Sequence, residues 1–533
     1  MKKEMFDVNT VFENDTYYTF DKGCSDIYLS DTKKANKEKY MTIAPFIKRR
    51  DGLDTAFWLH GLKNVTLDFG GAVIALHGKI QPFIIDECEN ITIKNAVIEY
   101  ERSFHTEFDI VERNETELHL KVKDRFPCRV ENGYFIPYCN DWEIRDLHES
   151  GCHFIQAFDS ETKAGKGMKV IYLGEEVKLL ESPPIANIEH VKVRKDGDTI
   201  IFKGTFPEKW EKGTTAVLCH SERDVSSVAM YHSKDVTVEN FRIINGAGMG
   251  YYAIYTENIT LNKIGFFCDD LSHGVVTNDA DGVHFVGCKG YVKIYDSRFE
   301  GMIDDTLNIH SVYHLTSKVS GNIISAMRTK YSGCLEAIAG LFGIGDTIAV
   351  YNGMTMEEKA RFVVQNINLT DDRWVTDITV DGNTENIAEG DVIENISTNP
   401  SLHFKNTEFI NANTHQRLQT RGKSLIENCT YAVPMWLTGD MNYWFESSPI
   451  KDLTVRNCTF IGERAIVALR PQFTHTEKAP YYHTGVTIEN CVFDNPNALK
   501  AKCGDDIKFI GNKSSSGEKL VIDATDCGNI IEE

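Results

Sequence analysis

The amino-acid sequence predicts an all-β protein, a right-handed parallel β-helix interrupted by two inserted small antiparallel β-barrel domains. Two observations lead to this prediction. A short motif centred on asparagine returns at intervals near 22 residues, and it disappears over two long stretches before it resumes. Short strand-like segments with such a period are typical of a solenoid, in which each coil keeps an unburied face until the next coil stacks on it.

The motif has the pattern Asn-x-Thr-apolar-x-Asn, followed by further apolar residues. Alternation along such a segment turns Val, Ile and Leu inward and Thr, Lys and Glu outward, while asparagine tolerates the left-handed backbone of a corner. The second asparagine recurs at 22 residues in three pairs, Asn240 and Asn262, Asn406 and Asn428, and Asn490 and Asn512. An irregular β-sandwich is the alternative, but its strands would not keep repeating one asparagine corner.

The presence and loss of the motif divide the chain into five segments. Both barrels are predicted from strand-like stretches that lack the motif. The sequence at the end of the first stretch, 213–218, is echoed within the second at 345–350. The predicted segments are an N-terminal cap with the first coils (1–103), barrel 1 (104–225), central coils (226–311), barrel 2 (312–400) and C-terminal coils (401–533).

Three cysteines of the C-terminal coils, Cys429, Cys458 and Cys491, each follow a corner asparagine. A free cysteine behaves as a small buried hydrophobe, so we expect these three side chains to stack inside the solenoid. The total of 14 cysteines is too dilute for a disulfide scaffold, and no Cys-x-x-Cys pair suggests zinc.

Composition excludes several classes of partner. The formal net charge of −21 argues against nucleic acid and anionic membranes, which need Lys and Arg in excess. No apolar run has the length of a secretory signal or of a membrane span. The sequence as it stands therefore predicts a cytoplasmic protein, or a secreted or periplasmic one if a signal was trimmed. The oligomeric state stays open, with a homodimer among the candidates.

The chemistry is predicted at three carboxylates, Asp281, Asp304 and Asp305. Asp281 precedes Asp304 by 23 residues and Asp305 by 24, which corresponds to one coil. Adjacent parallel strands are about 4.8 Å apart, so equivalent side chains can converge on one small substrate group. Paired carboxylates without a nearby nucleophile or phosphate loop suit glycoside hydrolysis, in which one acid donates a proton and another activates water. The alternatives are a solvated turn at Asp304–Asp305 and a calcium loop at Asp279–Gly282, although further calcium ligands are missing. We predict no metal and no cofactor.

Further candidate residues would bind the sugar. His284, Asn308 and His310 lie close to the carboxylates in sequence. Residues four apart on a strand share a face, so Arg417 and Arg421 would both reach the cleft as charged donors. Two aromatic residues of the loop-rich segment 434–449 are candidates for stacking on a sugar face, namely Trp436 and Trp444.

The strings ADGVHF (280–285), CKG (288–290) and FEGMIDDTLNIH (299–310) resemble glycoside hydrolase family 110. These are bacterial exo-acting α-1,3-galactosidases related to those that remove the blood group B galactose. The resemblance extends over nearly the whole chain and implies a β-helix with barrel insertions and an inverting mechanism acting on terminal α-linked galactose. It places the catalytic carboxylates on Asp281, Asp304 and Asp305. We assign Asp304 as the general acid and the other two as the groups that hold and deprotonate water.

Two other functions stay open at this stage. A polygalacturonase-like hydrolase of family 28 type would act on acidic polysaccharide, and Arg421–Lys423 could mimic its Arg-x-Lys carboxylate clamp. The sequence at 278–282 departs from the Asn-Thr-Asp-Gly element of that family by an insertion, and no Gly-His-Gly follows the aspartate pair. The third hypothesis is a non-catalytic carbohydrate-binding β-helix.

Overall fold

The protein is described here by a computed structural model. It describes residues 2–35, 53–140, 142–144, 152–173, 189–220, 225–267, 274–328, 341–372, 374–410, 414–441, 444–472 and 479–533.

The described chain is built almost entirely of strands, with short 3-10 helices at Lys22–Cys24 and Leu29–Asp31. The N-terminal segment contains β1 (Lys2–Phe6), β2 (Thr16–Phe20), β3 (Asp26–Tyr28), β4 (Lys33–Ala35), β5 (Leu53–His60), β6 (Lys63–His77), β7 (Gln81–Asp86) and β8 (Glu89–Tyr100). The strands of the first insertion are β9 (His105–Arg113), β10 (Glu117–Val122), β11 (Cys128–Glu131), β12 (Tyr134–Cys139), β13 (Trp142–Glu143), β14 (Cys152–Asp159), β15 (Gly165–Leu173), β16 (Glu189–Asp196), β17 (Thr199–Lys203) and β18 (Thr214–Cys219).

The central coils and the second insertion follow. The central strands are β19 (Ser226–Tyr231), β20 (Lys234–Ile243), β21 (Met249–Ile254), β22 (Glu257–Phe266), β23 (Val283–Val286), β24 (Lys289–Tyr295) and β25 (Arg298–Glu300). The second insertion comprises β26 (Leu307–Ser320), β27 (Ile323–Met327), β28 (Thr347–Tyr351), β29 (Glu358–Leu369), β30 (Val375–Val380) and β31 (Val392–Asn395).

The C-terminal coils consist of shorter strands. They are β32 (Ser401–Lys405), β33 (Glu408–Ile410), β34 (Gln416–Leu418), β35 (Ser424–Glu427), β36 (Thr430–Tyr431), β37 (Met435–Asp440), β38 (Glu446–Ser447), β39 (Leu453–Arg456), β40 (Thr459–Phe460), β41 (Val467–Gln472), β42 (His483–Glu489), β43 (Val492–Phe493), β44 (Leu499–Lys502), β45 (Gly504–Ile510), β46 (Lys513–Ser514), β47 (Ile522–Thr525) and β48 (Ile530–Glu532).

The coils stack into long parallel sheets, as predicted for a β-helix. Sheet one runs through β6, β8, β20, β22, β24, β32, β35, β39, β42, β45 and β48. Sheet two, which carries the candidate site, runs through β5, β7, β19, β21, β23, β26, β34, β37, β41, β44 and β47. A shorter sheet three links β25, β33, β36, β40, β43 and β46. The predicted fold class is confirmed.

The insertions leave the stacking register of the coils unbroken. Strand β8 pairs directly with β20 across the first insertion, with Glu89 opposite Lys234. Strand β24 likewise pairs with β32 across the second, with Tyr291 opposite Ser401. Each insertion therefore leaves the solenoid and returns to the next free edge.

Both insertions close into barrels. Strands β9, β10, β17, β16, β15, β14 and β18 form the first barrel, and its pairings are antiparallel except that of β15 with β16, which is parallel. The second consists of β26, β27, β30, β29, β28 and β31, all paired antiparallel. Strand β26 belongs to both units, because its first residues pair with β23 and its last with β27. The exact limits of the five predicted segments stay a prediction.

The corner asparagines adopt the predicted left-handed backbone, although the predicted register is off by one residue in two of the three pairs. Asn406 and Asn428 occupy equivalent corners, with φ of 50° and 55°. The corner equivalent to Asn240 is Lys263 rather than Asn262, because Glu239 pairs with Asn262. Gly511 rather than Asn512 likewise matches Asn490. The side chains of Asn262 and Asn512 instead bond to the neighbouring coil.

The interior of the C-terminal coils is filled by two ladders. Cys429, Cys458 and Cys491 are buried at 1%, 1% and 0% exposure on successive coils, and the amide of Cys429 lies 3.5 Å from Cys458 Sγ. This confirms the predicted cysteine stack. An aromatic ladder with centroid separations of 5.4, 5.2, 4.9, 5.0 and 4.5 Å runs beside it through Phe266, Phe299, Phe409, Tyr431, Phe460 and Phe493. Identical spacing of coils makes identical residue types pack well on each other.

Candidate active site

Asp281 and Asp305 occupy equivalent positions on neighbouring coils of sheet two, each just before a strand. The amide of Gly282 donates to the carbonyl of Asp305 at 2.9 Å, and β23 then pairs with β26 from Val283 and Leu307 onwards. Gly282 permits this close approach, because a Cβ there would lie 2.7 Å from the carbonyl oxygen of Thr306. Both carboxylates are buried, at 3% and 5% exposure, and the adjacent Asp304 is half-buried. The predicted stacking of carboxylates is therefore present for Asp281 and Asp305.

Burial and a neighbouring charge control the protonation of Asp305. Removal from water and the charge of Asp281 raise the pKa of Asp305 to about 8, against the opposing charge of Arg417. His415 Nε2 lies 3.4 Å from Asp305 Oδ1, and burial, assisted by the charge of Arg417, lowers the pKa of His415 to about 2. His415 is thus a neutral neighbour, and Asp305 keeps its proton at neutral pH. A carboxyl group that keeps its proton close to a second carboxyl group is an arrangement that acid–base hydrolysis uses.

Four predicted binding residues form one column across the coils of sheet two. The register pairs His284 with Asn308, Asn308 with Arg417, and Arg417 with Trp436. Residues at one register position point to the same face, so the column runs beside the carboxylates. His310 lies two residues further along β26 and contacts His284, with 3.1 Å between their Nε2 atoms.

A fourth carboxylate, the buried Glu446, completes the site and is absent from the sequence-based prediction. It forms an ion pair with Arg417 at 2.5 Å and accepts hydrogen bonds from Asn308 Nδ2 at 3.1 Å and Gln419 Nε2 at 3.0 Å. Burial opposes its ionisation, but the charge of Arg417 and the hydrogen bond from Gln419 lower the pKa of Glu446 to about 2. Glu446 is therefore a fixed negative charge that orients the binding residues.

Sequence reasoning misses Glu446 because it lies outside every repeat. It reaches the site through an antiparallel pairing of β38 with β26, in which Val312 faces Glu446. The only available signal is its place inside the loop-rich segment 434–449, which was considered for its tryptophans alone.

Several buried polar atoms of the site make no hydrogen bond within the described part of the chain. These are Asp281 Oδ1, Asn308 Oδ1, Arg417 Nε and Gln419 Oε1. Buried polar groups normally have partners, so this concentration of open donors and acceptors indicates a place for a polar ligand. Hydroxyl groups of a sugar, which both donate and accept, match such a mixed set.

Barrel 1 holds the loop that precedes Asp281. Glu107 of β9 accepts hydrogen bonds from the amides of Val275 and Val276 at 2.7 and 3.1 Å, and Lys123 Nζ lies 2.9 Å from its other oxygen. Next to it, His105 Nδ1 lies 2.6 Å from Asp279 Oδ1. Burial opposes ionisation of Glu107, but His105 and Lys123 lower its pKa to about 2. Asp279, considered above for a calcium loop, is thus bound to a histidine.

Barrel 1 also holds the loop before Asp304. Gln156 Nε2 of β14 donates to the carbonyl of Ile303 at 2.9 Å, and Lys163 forms an ion pair with Glu300 at 2.9 Å. The insertion therefore contacts both loops that carry the catalytic candidates.

The remaining predicted binding residues lie elsewhere. Strand β34 ends at Leu418, so alternation does not carry Arg421 into the column. Arg421 instead pairs with Glu394 of barrel 2 at 2.6 Å and donates to Tyr351 Oη at 2.7 Å.

The two tryptophans lie in different surroundings. Trp436 stacks on His415 with 3.5 Å between centroids, and Arg470 lies 4.0 Å from its ring centre. The backbone amide of Trp444 bonds to Asp440 at 2.9 Å. Sugar stacking by either ring stays a prediction.

Two further features are absent from the described residues. No group of three or more His, Cys, Asp and Glu side chains there is arranged to hold a metal ion. In the same part of the chain, no helix has the length and apolar character to cross a membrane.

The chain also resembles known proteins in sequence over most of its length. No family model matches the chain. It is 26% identical over 480 residues to α-1,3-galactosidase B of Bacteroides thetaiotaomicron, covering 86% of this chain and 74% of that protein. Identity to α-1,3-galactosidase A of Shewanella woodyi is 26% over 483 residues, with coverages of 87% and 75%. The α-1,3-galactosidase A of Bacteroides thetaiotaomicron is 27% identical over 473 residues, with coverages of 85% and 78%. The predicted resemblance to this family is confirmed.

Among solved structures, the chain is similar to the family 28 exopolygalacturonase of Yersinia enterocolitica. The TM-score is 0.31 at 9% identity, over 97% of this chain and 68% of that chain.

Replacement of Glu107 tests whether barrel 1 holds the catalytic loop. In Glu107→Gln, an amide group would meet backbone N–H donors and the Lys123 ammonium. We therefore expect the free energy of unfolding to fall by about 3–5 kcal/mol. We also expect lower activity at temperatures where the variant stays folded. Glu112→Gln is the matched control, because Glu112 is exposed on the same strand. Equal denaturation midpoints for the two variants would contradict the assigned role.

Asp305 should make the protein less stable as pH rises. A carboxyl whose folded pKa of about 8 exceeds its unfolded value near 3.8 holds an extra proton in the folded state, so stability falls between these values by about 1.4 kcal/mol per pH unit. Asp305→Asn removes this dependence, and we expect it to be more stable than wild type at pH 8. Denaturant titrations at pH 5 and pH 8 measure the difference, with exposed Asp371→Asn as control. A variant less stable than wild type at pH 8 would refute the assignment.

Proposed function

We propose that this relative of the α-1,3-galactosidases is an exo-acting glycoside hydrolase that removes terminal α-linked galactose, in α-1,3 linkage, from glycans. The observation that carries the proposal is the stacking of Asp281 on Asp305 beside Asp304, next to buried donors and acceptors that lack partners within the described residues. The curated relatives named α-1,3-galactosidase support the choice of sugar and linkage.

The proposed mechanism is an inverting hydrolysis in one displacement. Asp304 donates its proton to the glycosidic oxygen as the bond from C1 to that oxygen breaks. Water attacks C1 from the opposite face and gives its proton to Asp281, while protonated Asp305 donates a hydrogen bond to the water oxygen. The raised pKa of Asp305 supports this division, because a protonated carboxyl can orient water but cannot act as its base.

The binding side of the proposed site is neutral overall, which suits a neutral sugar. The arginine of the column, Arg417, is paired with Glu446, and Arg421, which lies outside the column, is paired with Glu394. A site for acidic polysaccharide would need cationic groups in excess of anionic ones to bind uronate carboxylates. The open oxygens of Asn308 and Gln419 are instead matched to hydroxyl donors.

A substrate panel with product analysis tests the function. We expect release of galactose from α-1,3-linked galactosides, both linear and fucosylated, and none from polygalacturonate. Proton NMR of the first-formed sugar should detect β-galactose, with the α-anomer appearing only by mutarotation. α-Galactose formed first would eliminate the inverting scheme, and the absence of any α-galactoside hydrolysis would eliminate the proposed activity.

The role of Asp304 as general acid can be tested with substrates whose leaving groups differ in their need for a proton. Asp304→Asn should lower kcat/KM by about 10²- to 10⁴-fold for a natural galactoside, whose leaving oxygen needs a proton. The loss should be much smaller for an activated nitrophenyl galactoside, whereas Asp281→Asn should slow both substrates alike. Equal losses for the two substrates in Asp304→Asn would show that another group is the acid. Absence of hydrolysis in the wild type, with sugar affinity unchanged in Asp304→Asn, would favour the non-catalytic carbohydrate-binding alternative.

A further inference from the structure

Asp281, His284 and His310 form a continuous chain of contacts at the site. Asp281 Oδ2 lies 2.7 Å from His284 Nδ1, and His284 Nε2 lies 3.1 Å from His310 Nε2. His310 Nδ1 in turn lies 2.6 Å from the carbonyl oxygen of Ser311. The side chain of His284 is 12% exposed, and the other two are more deeply buried. Both histidines were predicted to bind sugar, but their ring nitrogens face each other and Asp281.

Each contact in this chain needs a hydrogen between its two heavy atoms. A carbonyl oxygen only accepts, so His310 Nδ1 carries a proton. The two facing Nε2 atoms need one proton between them, and His284 Nδ1 and Asp281 Oδ2 need another. The total is three protons, whereas an ionised aspartate with two neutral histidines holds two. The geometry thus requires one additional proton within the trio.

The groups around the trio decide where this proton resides. Glu446 Oε1 lies 3.8 Å from His310 Nε2, but its charge is offset by Arg417 of β34. On the next coil stands Asp305, which keeps its proton beside the charge of Asp281, and from β21 the Tyr252 ring lies 5.9 Å from His284. The guanidinium of Arg417 also attracts Asp281, but it is paired directly with Glu446, so the titratable nitrogen in contact with Asp281 is that of His284.

We propose that His284 is an imidazolium counterion that keeps Asp281 ionised, and that His310 stabilises this state by accepting the His284 Nε2–H. This makes both histidines positioning residues rather than sugar ligands. The inference rests on the proposed function only in taking Asp281 as the base. When water attacks, its proton goes to Asp281 Oδ1, which has no hydrogen bond within the described residues, while Oδ2 keeps the imidazolium. The proton passes to solvent after product release.

The protonation state can be measured without substrate. With ¹⁵N-labelled histidine, the wild-type protein at pH 7.5 should show a histidine with both ring nitrogens protonated whose signal is absent from His284→Gln. The signals of His77 and His105, whose ring nitrogens also face carboxylates on both sides, should remain in that variant. We expect the His284 signal to persist in His310→Gln, whose amide oxygen can still accept, and to titrate at lower pH in His310→Leu. An unprotonated His284 Nδ1 at pH 7.5 in the wild type would overturn the proposal. This outcome does not depend on whether the protein hydrolyses galactosides.

The pH profile of the reaction gives a second test. Loss of the cation makes ionisation of Asp281 harder, so in His284→Gln the acidic limb of kcat/KM against pH should move upward by about one unit or more. His403→Gln is the matched control, because His403 bonds to Tyr295 and Glu427 on sheet one, away from the site. A lower kcat/KM with the acidic limb unmoved would reduce His284 to a structural role and overturn the proposal. Inactivity of the wild type on every α-galactoside would count against the function alone.

Discussion

The parallel register of stacked coils is the constraint on which the rest of this structure depends. Once β23 is paired with β26, residues 24 apart in sequence must stand beside each other at the spacing of neighbouring strands. The same register places Asp281 beside Asp305 and aligns His284, Asn308 and Arg417 in one column. The geometry of the candidate site is therefore set by backbone hydrogen bonds, which are rigid, rather than by side-chain packing.

The two barrels are part of the active site architecture. Barrel 1 contacts both loops that carry the carboxylates, through Glu107 and Gln156. Barrel 2 shares β26 with the solenoid, so the strand that follows Asp305 continues directly into the barrel wall. Each carboxylate loop, which is irregular backbone at a sheet edge, is thus fixed by groups from outside the solenoid. This is the support that pre-organised charge needs.

The sequence predicts the solenoid, its interruptions and the three aspartates, because each follows from local patterns that repeat. Its register errors come from the corners, where Lys263 and Gly511 take positions that a count of asparagines assigns to their neighbours. Glu446 could not be predicted, since an antiparallel pairing with β26 brings it from 134 residues beyond Val312. The end of β34 also explains why the predicted position of Arg421 is wrong. Side chains alternate between the two faces only within a strand, and this strand ends at Leu418. The histidines were found, but their contacts with each other depend on side-chain direction, which sequence spacing does not reveal.

The unbroken register across the insertions also bears on folding. Without an insertion, equivalent residues of neighbouring coils are 26 apart, as for Lys63 and Glu89, whereas across barrel 1 the separation is 145. Chain-closure entropy rises only with the logarithm of loop length, so the longer excursion costs about 1.5 kcal/mol more. A barrel that folds on its own between the two coils would shorten the effective loop and reduce even that difference. A repetitive scaffold can thus accept whole domains at its active-site edge for less free energy than one buried side chain contributes.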